Sequence, residues 1–202
     1  MSDASQQQSP EPTGTLDSSD RSLLALVACG DRRALQTLYV KYHQPVLRFL
    51  YRMTGQLELA QEGVNDVMFV VWEKASSFSG RSKVSTWIMG IAYHKGLKKL
   101  EKTRRWSQRF KTVDFQDWNE PSLSLAEHTD GAILKDLVIQ GLRKLPPKQR
   151  AVVELTYFHG YSYEEISEIA GCPVNTVKTR MFHARAKLRK LLHELGGDGP
   201  LT

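Results

Sequence analysis

Residues 162–191 constrain the fold more than any other stretch. Ser162 followed by Glu165 is a capping-box pattern that starts a helix at Tyr163. Ile166, Ile169 and Ala170 give that helix an apolar face. Gly171-Cys172-Pro173 then predicts a sharp turn, because Gly suits the left-handed position after a helix and Pro the first turn of the next. Beyond it, Val174, Val177, Met181, Ala184, Leu188 and Leu191 recur at spacings of 3, 4, 3, 4 and 3. That is one buried stripe on a helix. The opposite face carries Lys178, Thr179, Arg180, Phe182, His183, Arg185, Lys187 and Arg189. Donors for base edges, cations for phosphates and an aromatic for thymine methyl groups suit a recognition helix in a DNA groove. The competing reading is a purely structural helical hairpin.

The rest of the 202-residue chain is helical in pattern. Residues 1–19 are rich in Ser, Gln and Pro and read as a disordered tail. Leu35, Leu38, Tyr39, Tyr42, Val46, Leu47 and Leu50 repeat at threes and fours, and Thr54-Gly55 breaks that pattern. Leu59 to Trp72 begins a second helix. Phe78 to Lys83 is a polar loop, and Ser85 to about Arg105 is a third, increasingly basic helix. Strand-type alternation is almost absent. The expected class is all-α: two small helical domains, 20–105 and 132–193, the second holding the helix-turn-helix. A linker at 106–131 and a tail at 194–202 complete the expected layout.

Charge separates these parts. The chain carries a formal net charge of +6, but Arg81 to Lys111 holds ten bases against one acid, and Val174 to Lys190 holds six bases and no acid. Val113 to Asp130, between them, has five acids and no base. Two basic blocks joined by an acidic connector suggest two contact surfaces for a polyanion. In the first block Phe78, Arg81, Lys83, Trp87, Tyr93, His94, Lys95, Lys98 and Lys99 interleave aromatics with bases. Stacking faces along a cationic track suit melted or single-stranded DNA. Taken singly, Trp87 and Tyr93 fit core positions better than stacking platforms.

Other classes find little support. No run of about 18 apolar residues marks a membrane span, and the polar, acidic N-terminus is unlike a signal peptide, so a cytoplasmic protein without membrane insertion is expected. Cys29 and Cys172 form no CxxC pair. His43, His94, His128, His159, His183 and His193 lack the spacing of a zinc site, and neither a phosphate loop nor a GxSxG elbow is present. The expectation is no metal, no cofactor and no catalytic site.

Thr54 through Glu73, followed by Phe78-Ser-Gly-Arg-Ser-Lys-Val-Ser-Thr-Trp-Ile-Met-Gly-Ile-Ala92, resembles region 2 of extracytoplasmic-function sigma factors. Leu142-Arg-Lys-Leu-Pro-Pro-Lys-Gln-Arg150, Tyr161 to Ala170 and Val174 to Leu188 resemble region 4. The resemblance implies an alternative sigma factor that binds core RNA polymerase at the β′ clamp coiled coil and the β flap. It also implies promoter DNA as a partner. Lys178, Thr179, Phe182 and His183 are expected to face bases of the −35 element, with Arg180 and Arg185 on phosphates. Phe78 to Thr86, including Arg81 and Lys83, corresponds to a loop that captures a flipped −10 base. Trp87 would support it, and His94, Lys95, Lys98 and Lys99 would follow along the same helix. A stand-alone helix-turn-helix regulator, acting without polymerase, is the alternative.

Two departures from the family pattern stand out. The acidic Asp-Ala-Glu-Asp motif of the polymerase-binding helix is replaced by Leu59-Ala60-Gln61-Glu62, followed by Asn65-Asp66. Glu58, Glu62 and Asp66 still fall at i, i+4 and i+8, leaving one acidic stripe beside Asn65. His94 stands where an Asn is usual, which bears on −10 specificity. Some groups of the family lacking the acidic motif resemble proteins switched on by a Ser/Thr kinase. Thr54, beside Arg52 and just ahead of the stripe, is then the candidate acceptor. A sequestering anti-sigma factor is the alternative regulator.

Overall fold

A computed structural model describes residues 13–110 and 140–196. Among these the fold is all-α, with no strand. Helix α1 spans Thr13–Ala28, α2 Arg32–Thr54, α3 Leu57–Lys74 and α4 Val84–Phe110, with a 3-10 turn at Ala75–Ser77. Residues 140–143 end a further helix. Then follow α5, Pro147–Tyr157, α6, Tyr163–Ala170, and α7, Val174–Gly196.

Local chemistry sets these boundaries. The Asp31 carboxylate accepts from the Arg33 and Ala34 amides at 2.7 and 3.1 Å and opens α2. The Gly55 amide donates to the Tyr51 carbonyl at 2.7 Å and closes it. The capping box at Ser162 and Glu165 forms as expected, and Gly171 ends α6 at φ +58. Pro147 occupies the first turn of α5, where its missing N–H costs nothing.

The N-terminal boundary needs correction. Residues 13–19, read as part of a tail, are helical. The Asp17 carboxylate accepts from the Val84 amide at 3.0 Å, across 67 positions of sequence. Asp20 is buried and accepts from Lys41 at 2.6 Å and from the Tyr42 hydroxyl at 2.5 Å. Local composition could not reveal these distant partners. Helix α4 also runs past Arg105, to Phe110, and α7 past 193, to Gly196. The acidic connector, with Phe115 and Trp118, and the apolar Leu134, Leu137 and Val138 lie outside the described residues.

The arrangement of the two helical units was open in the sequence, and here they share one core. Helices α2, α3 and α4 pack pairwise, α1 crosses α2, α6 lies on α4, and α5 reaches α2. Phe49, Met53, Ile88 and Met89 belong to the same buried cluster as Leu155, Ile166, Ile169 and Met181. At Gly90 the α4 and α6 backbones nearly touch: a Cβ there would stand 3.6 Å from the Ile169 carbonyl oxygen.

Polar contacts close the seam around this core. Arg52 pairs with Glu154 at 3.0 Å, and Lys83 with Glu165 at 2.9 Å. The Tyr161 hydroxyl donates to the Ser85 carbonyl at 3.4 Å. Buried Arg150 donates to the Leu142 and Leu145 carbonyls at 2.9 and 3.3 Å, and to the Met53 carbonyl at 3.0 Å. It thereby satisfies helix-end carbonyls of both units at once.

Candidate nucleic-acid and polymerase surfaces

Helix α7 presents the expected recognition face. Val177, Met181 and Ala184 are buried, while Val174, Leu188 and Leu191 at the ends of the stripe are half-buried. Lys178, Thr179, Phe182, His183 and Arg185 are exposed, Phe182 to 70%. An aromatic ring of that exposure between cations is unexplained by packing. Arg185 is held by a 2.6 Å hydrogen bond to the Tyr157 hydroxyl on α5, which fixes where its charge sits. Arg180 departs from expectation. Its guanidinium turns back to Cys172 Sγ at 3.4 Å and toward the buried Tyr93 phenol, so it faces the seam rather than the open face.

A second surface lies along α4. Thr86, Trp87, Gly90, Ile91, His94, Lys95 and Lys98 line a groove of about 670 Å³. These positions share one side of the helix by their spacing of threes and fours. The Phe78 ring stands 5.4 Å from Trp87 at the groove's head, and Arg81 is exposed in the same loop. Thr86 is buried, and its hydroxyl has no partner among the described residues. Glu168 and Ile169 of α6 line the groove from the other side. Lys83, expected at the DNA, is engaged by Glu165 instead.

Lys99 does not join this track. It lies one residue beyond Lys98, about 100° further round the helix. Its ammonium bridges Glu62 at 3.0 Å and Asp66 at 3.1 Å on α3, with its side chain only 12% exposed. Burial alone would lower its pKa, but the two carboxylates outweigh that and raise it. Tyr93, interleaved with the bases in sequence, is a core residue.

The third surface is on α3. Glu58, Glu62 and Asn65 are exposed and Asp66 half-buried, so the stripe exists as a face, though Lys99 neutralises part of it. The Tyr39 hydroxyl donates to Asn65 Oδ1 at 3.5 Å. Phe69, which the sequence reading passed over as one more apolar position, lies on this face and is 61% exposed. Its spacing from Asn65 and Asp66 was the available signal.

Thr54 is not a free acceptor. It is 8% exposed, and its hydroxyl donates to the Leu50 carbonyl at 2.8 Å as α2 ends. The same hydroxyl accepts from the Gln56 amide at 3.4 Å, just ahead of α3. No group of three or more His, Cys, Asp or Glu is placed to hold a metal among the described residues. No helix there is long and apolar enough to cross a membrane.

Comparison with known proteins agrees with this layout. A family profile described as "Sigma-70 region 2" matches residues 38–106, and one described as "Sigma-70, region 4" matches residues 135–188. The RNA polymerase sigma-H factor of Pseudomonas aeruginosa is 30% identical over 183 residues, covering 87% of this chain and 95% of its own. The ECF RNA polymerase sigma factor SigM of Mycobacterium tuberculosis is 31% identical over 180 residues, covering 89% and 87%. In the co-crystal structure with the anti-sigma factor NepR from Bartonella quintana, the sigma factor RpoE has a similar fold. Its TM-score is 0.62 at 24% identity, covering 78% of this chain and 95% of that one. With regions 2 and 4 matched in order, and with relatives of this identity along nearly their full length, the chain belongs to the extracytoplasmic-function branch of the sigma-70 family of RNA polymerase sigma factors.

Proposed function

We propose that the chain is an alternative sigma factor that carries core RNA polymerase to promoters in a closed-to-open cycle. Helix α3 offers Glu58, Glu62, Asn65, Asp66 and Phe69 to the β′ clamp coiled coil, and the α5–α7 unit docks at the β flap. The face of α7 reads the −35 element. The Phe78–Thr86 loop and the Trp87 groove take the −10 strand as it melts. Its part is regulatory rather than enzymatic.

One observation carries this reading: the α4 groove, with its loop of aromatic and basic groups, shares a chain with an exposed recognition face. The same groove is lined by Glu168 and Ile169 of the helix-turn-helix. Promoter DNA therefore has to displace α6 from α4, and the energy for that step comes from polymerase binding. A stand-alone regulator would use the α7 face alone, which is already exposed, and would leave the α4 groove and its loop without a role, so the groove favours a polymerase-dependent factor.

The finer question is what keeps it inactive. Phosphate transfer to Thr54 requires the α2–α3 corner to open first, because its hydroxyl is buried and bonded. A protein that clasps the two units together needs no such opening. RpoE of Bartonella quintana is crystallised in complex with an anti-sigma factor. We favour a sequestering partner, and Thr54→Val should leave promoter activity in cells unchanged.

The direct test mixes the purified, unmodified chain with bacterial core RNA polymerase and maps transcription starts on genomic DNA. Tight binding with new, chain-dependent starts supports the reading. Promoter binding by the chain alone, as tight as with polymerase, would instead establish the stand-alone regulator.

A further inference from the structure

We propose that Arg21 is the positioning residue that pre-shapes the loop receiving the −10 base. The inference rests on the reading of that loop given above. Arg21 sits on α1, outside the residues 38–106 matched as region 2.

The loop between the Ala75–Ser77 turn and α4 has no regular hydrogen bonding of its own. Gly80 adopts φ +71. Two of its carbonyls converge on one guanidinium: Arg21 donates to Gly80 O at 2.9 Å and to Ser82 O at 2.8 Å. The same guanidinium lies 5.6 Å from the centre of the Phe78 ring, which also meets Trp87 at 5.4 Å between centroids. The third donor, Nε, binds Asp17 at 2.7 Å. The other Asp17 oxygen accepts from the amide of Val84, the first residue of α4. Burial pushes the Asp17 carboxyl up, but the Arg21 and Val84 bonds outweigh it and hold it below its usual range. One ion pair on α1 thus grips the middle and the end of the loop.

This geometry suits a guanidinium alone. A planar fork reaches two carbonyls and an aromatic face together, whereas an ammonium is a point donor. The function follows from the cost of extruding a base. Unstacking costs free energy, and a pocket that must also order itself adds to that cost. A loop already tied by Arg21 meets the base in its final shape. The ring of Phe78, in contact with both Arg21 and Trp87, is the part of the loop that this tie aims. The approach is close enough that a Cβ on Gly80 would stand 2.9 Å from Arg21 Nη1. Gly80→Ala would therefore press on the guanidinium and, at φ +71, also strain the loop backbone directly.

The test uses holoenzyme assembled on core RNA polymerase. The probe is the labelled −10 non-template strand of a promoter mapped as above, intact or with one abasic position at the flipped base. Hydrogen exchange over residues 78–84 reports the loop. Wild type should prefer the intact strand. Arg21→Ala and Arg21→Lys should speed exchange in the loop and reduce that preference about tenfold, while core-polymerase affinity is unchanged. Gly80→Ala, which adds backbone strain of its own, should loosen the loop at least as much, and adding Arg21→Ala to it should cost less than Arg21→Ala costs alone. Unchanged preference with a loosened loop would overturn the role of Arg21. An intact strand bound no better than the abasic one by wild type would overturn the −10 reading itself, and this inference with it. Should Arg21→Ala fail to bind core polymerase, Arg21→Lys decides the matter, because it keeps the charge and removes the planar fork.

Discussion

Lys83 Nζ stands 2.9 Å from Glu165 Oε1, joining the head of the α4 groove to the first turn of the helix-turn-helix. Glu165 does this while its other oxygen accepts from the Ser162 amide at 2.9 Å, completing the capping box. Burial would raise the Glu165 pKa, but the Lys83 ammonium and the Ser162 amide outweigh it and lower it. A depressed carboxyl stabilises the closed form above its unfolded pKa and loses that contribution as pH falls through its folded one.

Glu165→Gln keeps an acceptor for Ser162 and removes the charge facing Lys83. The pair is partly solvated, so the expected loss is about 0.5 kcal/mol, near a twofold shift toward the open form. Fluorescence energy transfer between labels on α3 and α7 should show the shift, and wild type should show it as salt rises. Identical transfer in both proteins at low salt would refute the contribution.

Gly90 tests the packing side of the seam. A Cβ there would meet Ile169 at ordinary van der Waals distance, so Gly90→Ala should fold normally. It should gain roughly 0.5–1 kcal/mol from the removed helix-interior glycine. Gly90→Leu places extra atoms between two helices already in contact, at a cost of about 1–3 kcal/mol. Small-angle scattering should then show an expanded molecule with unchanged helix content. A compact Gly90→Leu protein would mean that α6 can shift without leaving α4.

His159 makes the seam sensitive to acid. Burial comes first, and the nearby Arg52 and Arg48 guanidinium groups add to it, holding the imidazole pKa down to about 4. It stacks on Tyr161 and meets Phe49 edge-on, and its buried Nε2 has no partner among the described residues. A histidine with a folded pKa below its unfolded one weakens the fold as pH drops below about 6.5. Between pH 7.5 and 5.5 this amounts to about 1 kcal/mol. Thermal melts of wild type and His159→Phe should diverge over that range, with the variant less affected. Parallel profiles would show that His159 titrates normally.

The recognition face separates reading from gripping. Lys178→Ala should alter which −35 base pairs are preferred, by about 1–3 kcal/mol at the affected position. Arg185→Ala should weaken all sequences alike and lower the salt dependence by roughly one counterion. Because Tyr157 holds Arg185 in place, Tyr157→Phe should give a milder copy of that effect. Competition binding of holoenzyme across a −35 variant set distinguishes the outcomes.

Much of this protein was determined locally. The capping box at Ser162, the turn at Gly171, the buried Val177–Met181–Ala184 stripe and the polar face opposite it depend only on helix geometry over a few residues. Side-chain pattern therefore sufficed for the helix-turn-helix, for the all-α class and for the exposed groups on α7 and α3. Only tertiary structure decided which charges are free. Lys83, Lys99, Arg180 and Arg52 are each indistinguishable in sequence from solvated DNA-facing cations. Their partners, Glu165, Glu62 with Asp66, the Tyr93–Cys172 pocket and Glu154, come from other elements. Asp17 and Arg21 fell within or beside a stretch that composition alone assigned to a tail. Their ordering comes from the Val84 amide and the Gly80 and Ser82 carbonyls, some 60 positions away. Hydrophobic periodicity reports which face a helix buries. It carries no information about which distant charge meets which, because that depends on how the buried faces pack together.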